Sequence, residues 1–314
     1  MKIYGKTIIQ YIFLGTIIYF ILEDLIQNTN FSKEFCRKAL PSQQERKFVI
    51  LANKTNNVCY LNCIIQSFLP FKNYFMRYDG AMADILKNIF RIIQNTKEFN
   101  LNLVSGYKKI LNTLRMNKFT LFAPGDAMEL VHFILNHIIF HHVKLRNIRT
   151  YNRFYIHKKD LESLKSIVII KDFCSIVEFE YNDYVWFMPV IVFRFHGDSI
   201  QTLIDEFFSF GKGKNYMLKN VIYTPNVLII SFWKRLGASK DLDFQKQEHV
   251  YLKNTKYKLN SLIMFVKNTN NGHYFSCSLV RDEWYMFDED KIIKIELRNF
   301  NTGFVAMAIY EKII

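Results

Sequence analysis

The chain has 314 residues, half of them hydrophobic, 16% aromatic and 22% charged. That is enough apolar material for a sizeable core in one large domain or two ordinary ones, and it excludes a disordered chain. The formal net charge is +14, but Lys and Arg are scattered without a dense basic run, so a solvated basic surface outweighs a nucleic-acid site and no nucleic-acid partner is expected. The five cysteines (36, 59, 63, 174 and 277) contain no C-x-x-C pair. Zinc ribbons and disulfide frameworks are thereby disfavoured, no metal or other cofactor is expected, and the usage suits a reducing compartment.

The first apolar run, "TIIQYIFLGTIIYFIL", spans Thr7 to Leu22 without a charge. Its sixteen residues would rise ~24 Å as a helix, slightly short of a ~30 Å hydrocarbon core. Residues 1–26 are expected to form a membrane anchor, with a signal peptide and a core helix as the alternatives. Lys2 and Lys6 precede the run, but Lys33, Arg37, Lys38, Arg46 and Lys47 follow it and outnumber them. The larger count predicts a membrane-anchored protein with the main domain facing the cytosol. The polar residues 27–47 read as a linker, and 48–314 as the folded domain.

From Cys59 to His142 the apolar spacing is mostly helical. In "GDAMELVHFILNHIIFHH", Leu130, Phe133, Ile134 and Ile138 recur at three- and four-residue steps, and Gly125–Asp126 after Pro124 marks a helix start. His137 and His141 have ligand-like i, i+4 spacing on this helix, but lack a third ligand and read as structural. From about Ser166 the character becomes β. "SIVIIKDF", "YVWFMPVIVFRF", "NVLIISFWK", "SLIMFVK", "HYFSCSLV", "EWYMFD" and "GFVAMAIYEK" are β-branched or aromatic runs between polar turns. One helix interrupts them, "DSIQTLIDEFFSF", capped by Asp198 or Ser199. Helices followed by antiparallel strands make an α+β fold.

Cys59 stands where the polar "NKTNNV" turns into the apolar "YLNCIIQSFL", a helix start whose backbone N–H groups favour a thiolate. Cys63 is one turn deeper. A lone cysteine is more often a buried small residue, and a nucleophile also needs a base and an orienting group. "NGHYFSCSLVRDEWYMFDED" places His273 at the start of one strand and Asp288 at the end of the next. The break at Arg281-Asp282-Glu283 predicts a hairpin that folds Asp288 back toward His273.

"NNVCYLNCIIQSF" and "NGHYFSCSLVRDEWYMFDED" together resemble the cysteine and histidine boxes of the ubiquitin-specific proteases. "GDAMELVHFIL", "SIQTLIDEFF", "TPNVLIISFWKRL", "YKLNSLIMFVKNTNNGHY" and "AMAIYEK" resemble further boxes of that family in the same order, across about residues 48–314. The resemblance implies a papain-like cysteine protease with a helical thumb, an antiparallel β palm and reduced fingers that lack zinc ligands, since only Cys174 lies where many members carry two C-x-x-C pairs. It implies ubiquitin and ubiquitinated proteins as partners, and hydrolysis after ubiquitin's C-terminal glycine.

By the same resemblance Cys59 is the nucleophile, His273 the base, Asp288 its orienting group, and Cys63 a packing residue. Asp126, Glu129, Gly272 and Tyr274 are the candidates for holding the substrate tail. The family's oxyanion Asn lies five residues before the nucleophile. That position is Lys54 here, with Asn53 one residue earlier, so Asn53, Lys54 and the acid Glu289 after Asp288 are the oxyanion candidates. A missing donor at this position can cost ~10²–10³ in rate, so a ubiquitin-binding pseudoprotease is the alternative function.

Overall fold

A computed structural model describes residues 51, 59–95, 126–146, 155–179, 183–194, 199–209, 219–233, 247–267, 272–289, 291–297 and 304–313. All belong to one compact unit, Lys47–Ile314. In chain order it begins with α1 (Cys59–Phe68), a 3-10 turn (Leu69–Phe71), α2 (Lys72–Phe75), α3 (Ala81–Asn95) and α4 (Ala127–Leu145). There follow β1 (Tyr155–His157), α5 (Leu161–Lys165), α6 (Val168–Phe173), β2 (Ser175–Phe179), β3 (Tyr184–Met188), β4 (Ile191–Arg194) and α7 (Ile200–Ser209). The chain continues through β5 (Lys219–Tyr223), β6 (Val227–Trp233), β7 (His249–Leu252), β8 (Thr255–Lys267), β9 (Gly272–Val280), β10 (Glu283–Asp288), β11 (Lys291–Ile295) and β12 (Phe304–Lys312). A helical half followed by a mainly β half is the α+β, papain-like arrangement the sequence predicts.

The palm is an eight-stranded sheet in the order β11-β10-β9-β8-β12-β6-β4, with β7 pairing β8. All its pairings are antiparallel except β4 with β6. A smaller sheet, β1-β3-β2-β5, forms the reduced fingers. Helix α1 lies against β9 and β8 on one side and α4 on the other. All ten of its residues are buried. A helix enclosed on all sides must be apolar nearly all round, which is what "CYLNCIIQSF" supplies.

Helix α3 shows the opposite pattern. Met82, Ile85, Leu86, Ile89, Phe90 and Ile93 are buried at helical spacing, while Asp84 and Lys87 pair on the outer face, 3.3 Å apart. Phe75 joins the first helices to α6: its ring meets those of Phe68, Tyr78, Phe90 and Phe173 at 5.2–5.9 Å.

The buried carboxylate of Asp172 completes that junction. It accepts hydrogen bonds from Arg77 Nη2 (2.7 Å), Tyr78 Oη (2.6 Å) and Asn226 Nδ2 (2.8 Å). Three donors from two other segments compensate the loss of water around one carboxylate.

Two strand expectations are corrected. "SIVIIKDF" is not a strand; its core forms α6. Ile169, Ile170 and Phe173 are buried while Val168 and Lys171 face solvent, a one-sided helical spacing that the β-branched composition masks. "YVWFMPVIVFRF" is two strands in different sheets, β3 and β4, split around Pro189. Proline has no N–H for a ladder, so the run cannot continue as one central strand. Strands β1, β2, β5, β7 and β11 are short and lie outside the runs that the sequence marks as strands.

Candidate functional site

The nucleophile candidate is the first residue of α1, as the polar-to-apolar transition predicts. The helix presents Cys59, Asn62, Cys63 and Gln66 along one face, at i, i+3, i+4 and i+7. That face meets Tyr274 from β9 and Phe287, Glu289 and Ile292 from the β10–β11 hairpin.

Strand β9 carries His273, and the two-residue turn Arg281–Asp282 folds β10 back beside it. Both turn residues have positive φ, 52° and 62°, as a tight twisted hairpin requires. In this register Phe287 faces Ser276. Asp288 and His273 are therefore diagonal neighbours on the same side of the sheet, and their side chains close the gap: His273 Nε2–H donates to Asp288 Oδ1 at 2.6 Å. The Phe275 ring lies beside the imidazole, 6.4 Å between centroids and 24° from parallel.

The other ring nitrogen, Nδ1, lies 3.8 Å from Glu289 Oε1. Hydrogen bonds with Asp288 first, and then with the Cys59 thiol, push the His273 pKa up to about 10 against the opposing effect of burial. The imidazole thus has one face committed to a carboxylate and the other within reach of a thiol, the requirement for proton transfer from sulfur. Cys63 is fully buried, its pKa raised by that burial, and its thiol donates to the Tyr60 carbonyl at 3.0 Å. The two cysteines of this helix are chemically distinct.

The candidates for holding a substrate tail also converge. Asp126 caps α4, its Oδ1 accepting from Met128 N at 2.6 Å and Glu129 N at 3.3 Å. Glu129 lies in the same first turn. Tyr274 reaches this helix end: its phenolic oxygen meets the Ala127 N–H, and burial followed by the Asp126 charge raises its pKa. Gly272 opens β9 two residues before. A Cβ at Gly272 would collide with the Phe265 ring, which lies 4.8 Å from the Tyr274 ring.

Asn53 and Lys54 lie outside the described residues, as do Gly125 and Asp198. Leu51, on the near side of that loop, is described; its carbonyl accepts from Asn62 Nδ2 at 2.8 Å. The sequence reading did not single out Asn62, Gln66 or Phe265. Two amides inside an otherwise apolar helix, three and seven residues after Cys59, were the available signal for the first two. His137 and His141 hold no cluster with acids or cysteines; among the described residues no group of three such side chains could hold a metal.

An α+β fold with a helical thumb, a β palm and a cleft between them is that of the papain-like cysteine hydrolases. The family model for ubiquitin carboxyl-terminal hydrolase matches residues 51–310, so the chain belongs to that family. No curated protein matches it. Among solved structures, it is similar to the SAGA Ubp8/Sgf11/Sus1/Sgf73 DUB module bound to ubiquitin aldehyde (TM-score 0.63, 14% identity, 94% of this chain and 76% of that one). It is also similar to a monoubiquitin-bound form of that module (0.62, 14%, 93% and 76%). A third match is an essential yeast splicing factor (0.56, 13%, 84% and 69%).

The membrane location expected from the sequence, with the catalytic domain facing the cytosol, is corrected. Among the described residues no helix is long and apolar enough to cross a membrane. The similar Ubp8 chains are described as parts of the SAGA DUB module. The physical weakness of the expectation is its length: sixteen residues of helix, ~24 Å, fall short of the hydrocarbon core. The anchor and linker segments themselves, 1–26 and 27–47, lie outside the described residues.

Proposed function

We propose that this chain is a thiol-dependent deubiquitinase that hydrolyses the isopeptide or peptide bond after the C-terminal glycine of ubiquitin. The observation that carries the reading is His273, hydrogen-bonded to Asp288 at 2.6 Å and held at a raised pKa by Asp288 first and the Cys59 thiol next, within the fold of this family.

In this reading His273 accepts the Cys59 proton and the thiolate attacks the glycine carbonyl. The carbon–nitrogen bond breaks, and the imidazolium gives its proton to the leaving amine. Water, deprotonated by His273, then cleaves the thioester and restores the thiol. Asp288 holds the imidazole in the tautomer that leaves Nδ1 free for sulfur. Asp126 and Glu129 supply negative charge at the mouth of the cleft for a basic tail. Gly272, bare of a side chain, and Tyr274 line its narrow part. By sequence position Asn53 and Lys54 remain the candidates for donors to the oxyanion, and Glu289, an anion, could serve it only through an intervening donor.

The full chain, incubated with ubiquitin carrying a C-terminal electrophile, should be labelled at Cys59, and Cys59→Ser should abolish the adduct. A folded protein that remains unlabelled would sink the reading. A second reading rests on Lys54, at the position of the family's oxyanion Asn. It is a pseudoprotease that binds ubiquitin without turnover. Steady cleavage of a ubiquitin–fluorophore amide excludes it.

A further inference from the structure

The histidine-rich end of α4, "HIIFHH", has the spacing of a metal motif and takes no part in the proposed reaction. Its histidines serve the fold in different ways. His137 Nδ1 hydrogen-bonds the Phe133 carbonyl at 2.9 Å. His141 and His142 both meet the turn Tyr78-Asp79-Gly80 that leads into α3. Gly80 has φ +107°, and the His141 ring lies 2.9 Å from where a Cβ would stand. A turn so strained and so closely covered admits only glycine. The Gly80 carbonyl accepts from Asp84 N at 2.9 Å and so opens α3.

The contact of His142 is polar. The backbone N–H of Asp79 donates to His142 Nε2 at 3.2 Å. A ring nitrogen accepts only in the neutral imidazole, because both nitrogens of the imidazolium are donors. The bond therefore places the ring proton on Nδ1 and exists in one charge state alone. The rings of Tyr78 and His141 pack edge-on against His142, 6.1 and 5.6 Å away. Asp79, on the turn, favours the imidazolium; His141 on α4, Lys87 on α3 and Arg146 at the end of α4 oppose it. Lys87 also lies 3.7 Å from the Asp79 carboxylate and 3.3 Å from that of Asp84. Burial first, and the neighbouring His141 next, hold the His142 pKa below the ordinary 6.5.

We propose that His142 is an acid-sensitive latch between α4 and the turn into α3. Neutral, it grips the Asp79 N–H and holds the turn against the end of α4. Protonated, it presents a donor to a donor, and the turn is released. The folded chain takes up this proton at lower pH than the unfolded chain does. The latch's contribution to stability is therefore complete above about pH 6.5 and falls away as the pH drops below it. The opposite end of the same helix carries Asp126 and Glu129, roughly 24 Å away along the axis. The latch is independent of any activity on ubiquitin.

Nitrogen-15 NMR of the full chain, labelled at histidine and aspartate, tests it. At about pH 8 the His142 ring should carry its proton on Nδ1, and the Asp79 amide should be protected from exchange. As the ring titrates, that protection, corrected for the intrinsic exchange rate, should fall about fivefold, as the loss of one neutral hydrogen bond predicts. Its midpoint should coincide with that of the ring's own nitrogen shifts. His142→Gln keeps an acceptor at the reach of Nε2 and does not titrate, so its Asp79 amide should stay protected across the range. His142→Phe keeps a ring against Tyr78 but has no acceptor, and should leave that amide unprotected throughout. A proton on Nε2 at about pH 8, a ring that stays neutral until the chain unfolds, or amide protection that does not follow the ring overturns the latch. So does a His142→Gln chain that loses protection with acid as the wild type does. If either variant fails to fold, the wild-type tautomer and exchange profile decide alone.

Discussion

His273 and Asp288 stand on adjacent antiparallel strands, two residues out of direct opposition, and meet at 2.6 Å. The pairing therefore depends on hairpin register: a one-residue slip would turn Asp288 to the other side of the sheet. Asp288→Asn preserves size and register while removing the charge. It should reduce ubiquitin–amide hydrolysis by ~10²–10⁴-fold with little change in melting temperature. The pH profile should shift with it, the imidazole releasing its proton at lower pH, which steady-state rates across pH would show.

The raised pKa of His273 also makes stability depend on pH. Its folded-state value of about 10 lies above the ordinary 6.5, so the folded state holds this proton more tightly than the unfolded chain. The contribution is fully present below about pH 6.5 and is lost as pH rises towards about 10. The stability difference between wild type and His273→Asn, measured by urea unfolding, should therefore shrink across that window. A difference that grows with pH would contradict it.

Gly272 tests the crowding at the start of β9. Gly272→Ala places a methyl in the Phe265 ring, which must then push on Tyr274 beside the imidazole. Hydrolysis should fall about tenfold or more, in line with small misplacements of reacting groups. Phe265→Ala in the same chain should recover part of the loss by vacating the space. If the double variant is worse than both single ones, the ring is not the obstacle.

Glu289 sets stability against activity. Glu289→Gly relieves the left-handed backbone and should raise stability by about 1 kcal/mol in thermal or urea unfolding. It should also slow the reaction, because the carboxylate near Nδ1 is lost. Simultaneous gains in both would remove Glu289 from the site.

Asp172→Ala strands the hydroxyl of Tyr78 and the amide of Asn226 where α6 meets the α2–α3 connection and the start of β6. Arg77 is half exposed and can turn to water. The expected cost is about 2 kcal/mol of stability, with the rate per folded molecule unchanged.

Much of this was legible in the sequence, and the reasons differ by residue. Cys59 was readable because a composition change marks a helix start, and Asp126 because a capping aspartate before an apolar periodic run has one local function. The hairpin linking His273 to Asp288 was readable from its charged break. The run at 167–173 misled because β-branched composition spoke for a strand while burial on one side made a helix. Asn62 carried no such signal, because its hydrogen bond to the Leu51 carbonyl is a contact of the folded chain that no spacing rule supplies. The 3.8 Å approach of Glu289 to the imidazole likewise needs the turn's positive φ, which no spacing rule supplies for a glutamate.

Strand β12, residues 304–312, is the last described strand in the chain, yet it lies in the interior of the palm between β8 and β6. The sheet that seats His273 cannot close until those residues have been synthesised and have left the ribosome. A nascent chain already displays Cys59 long before then, but without a base set against it. In the proposed reading the Cys59 thiol therefore gains its base only when strands made late in translation fold against its helix.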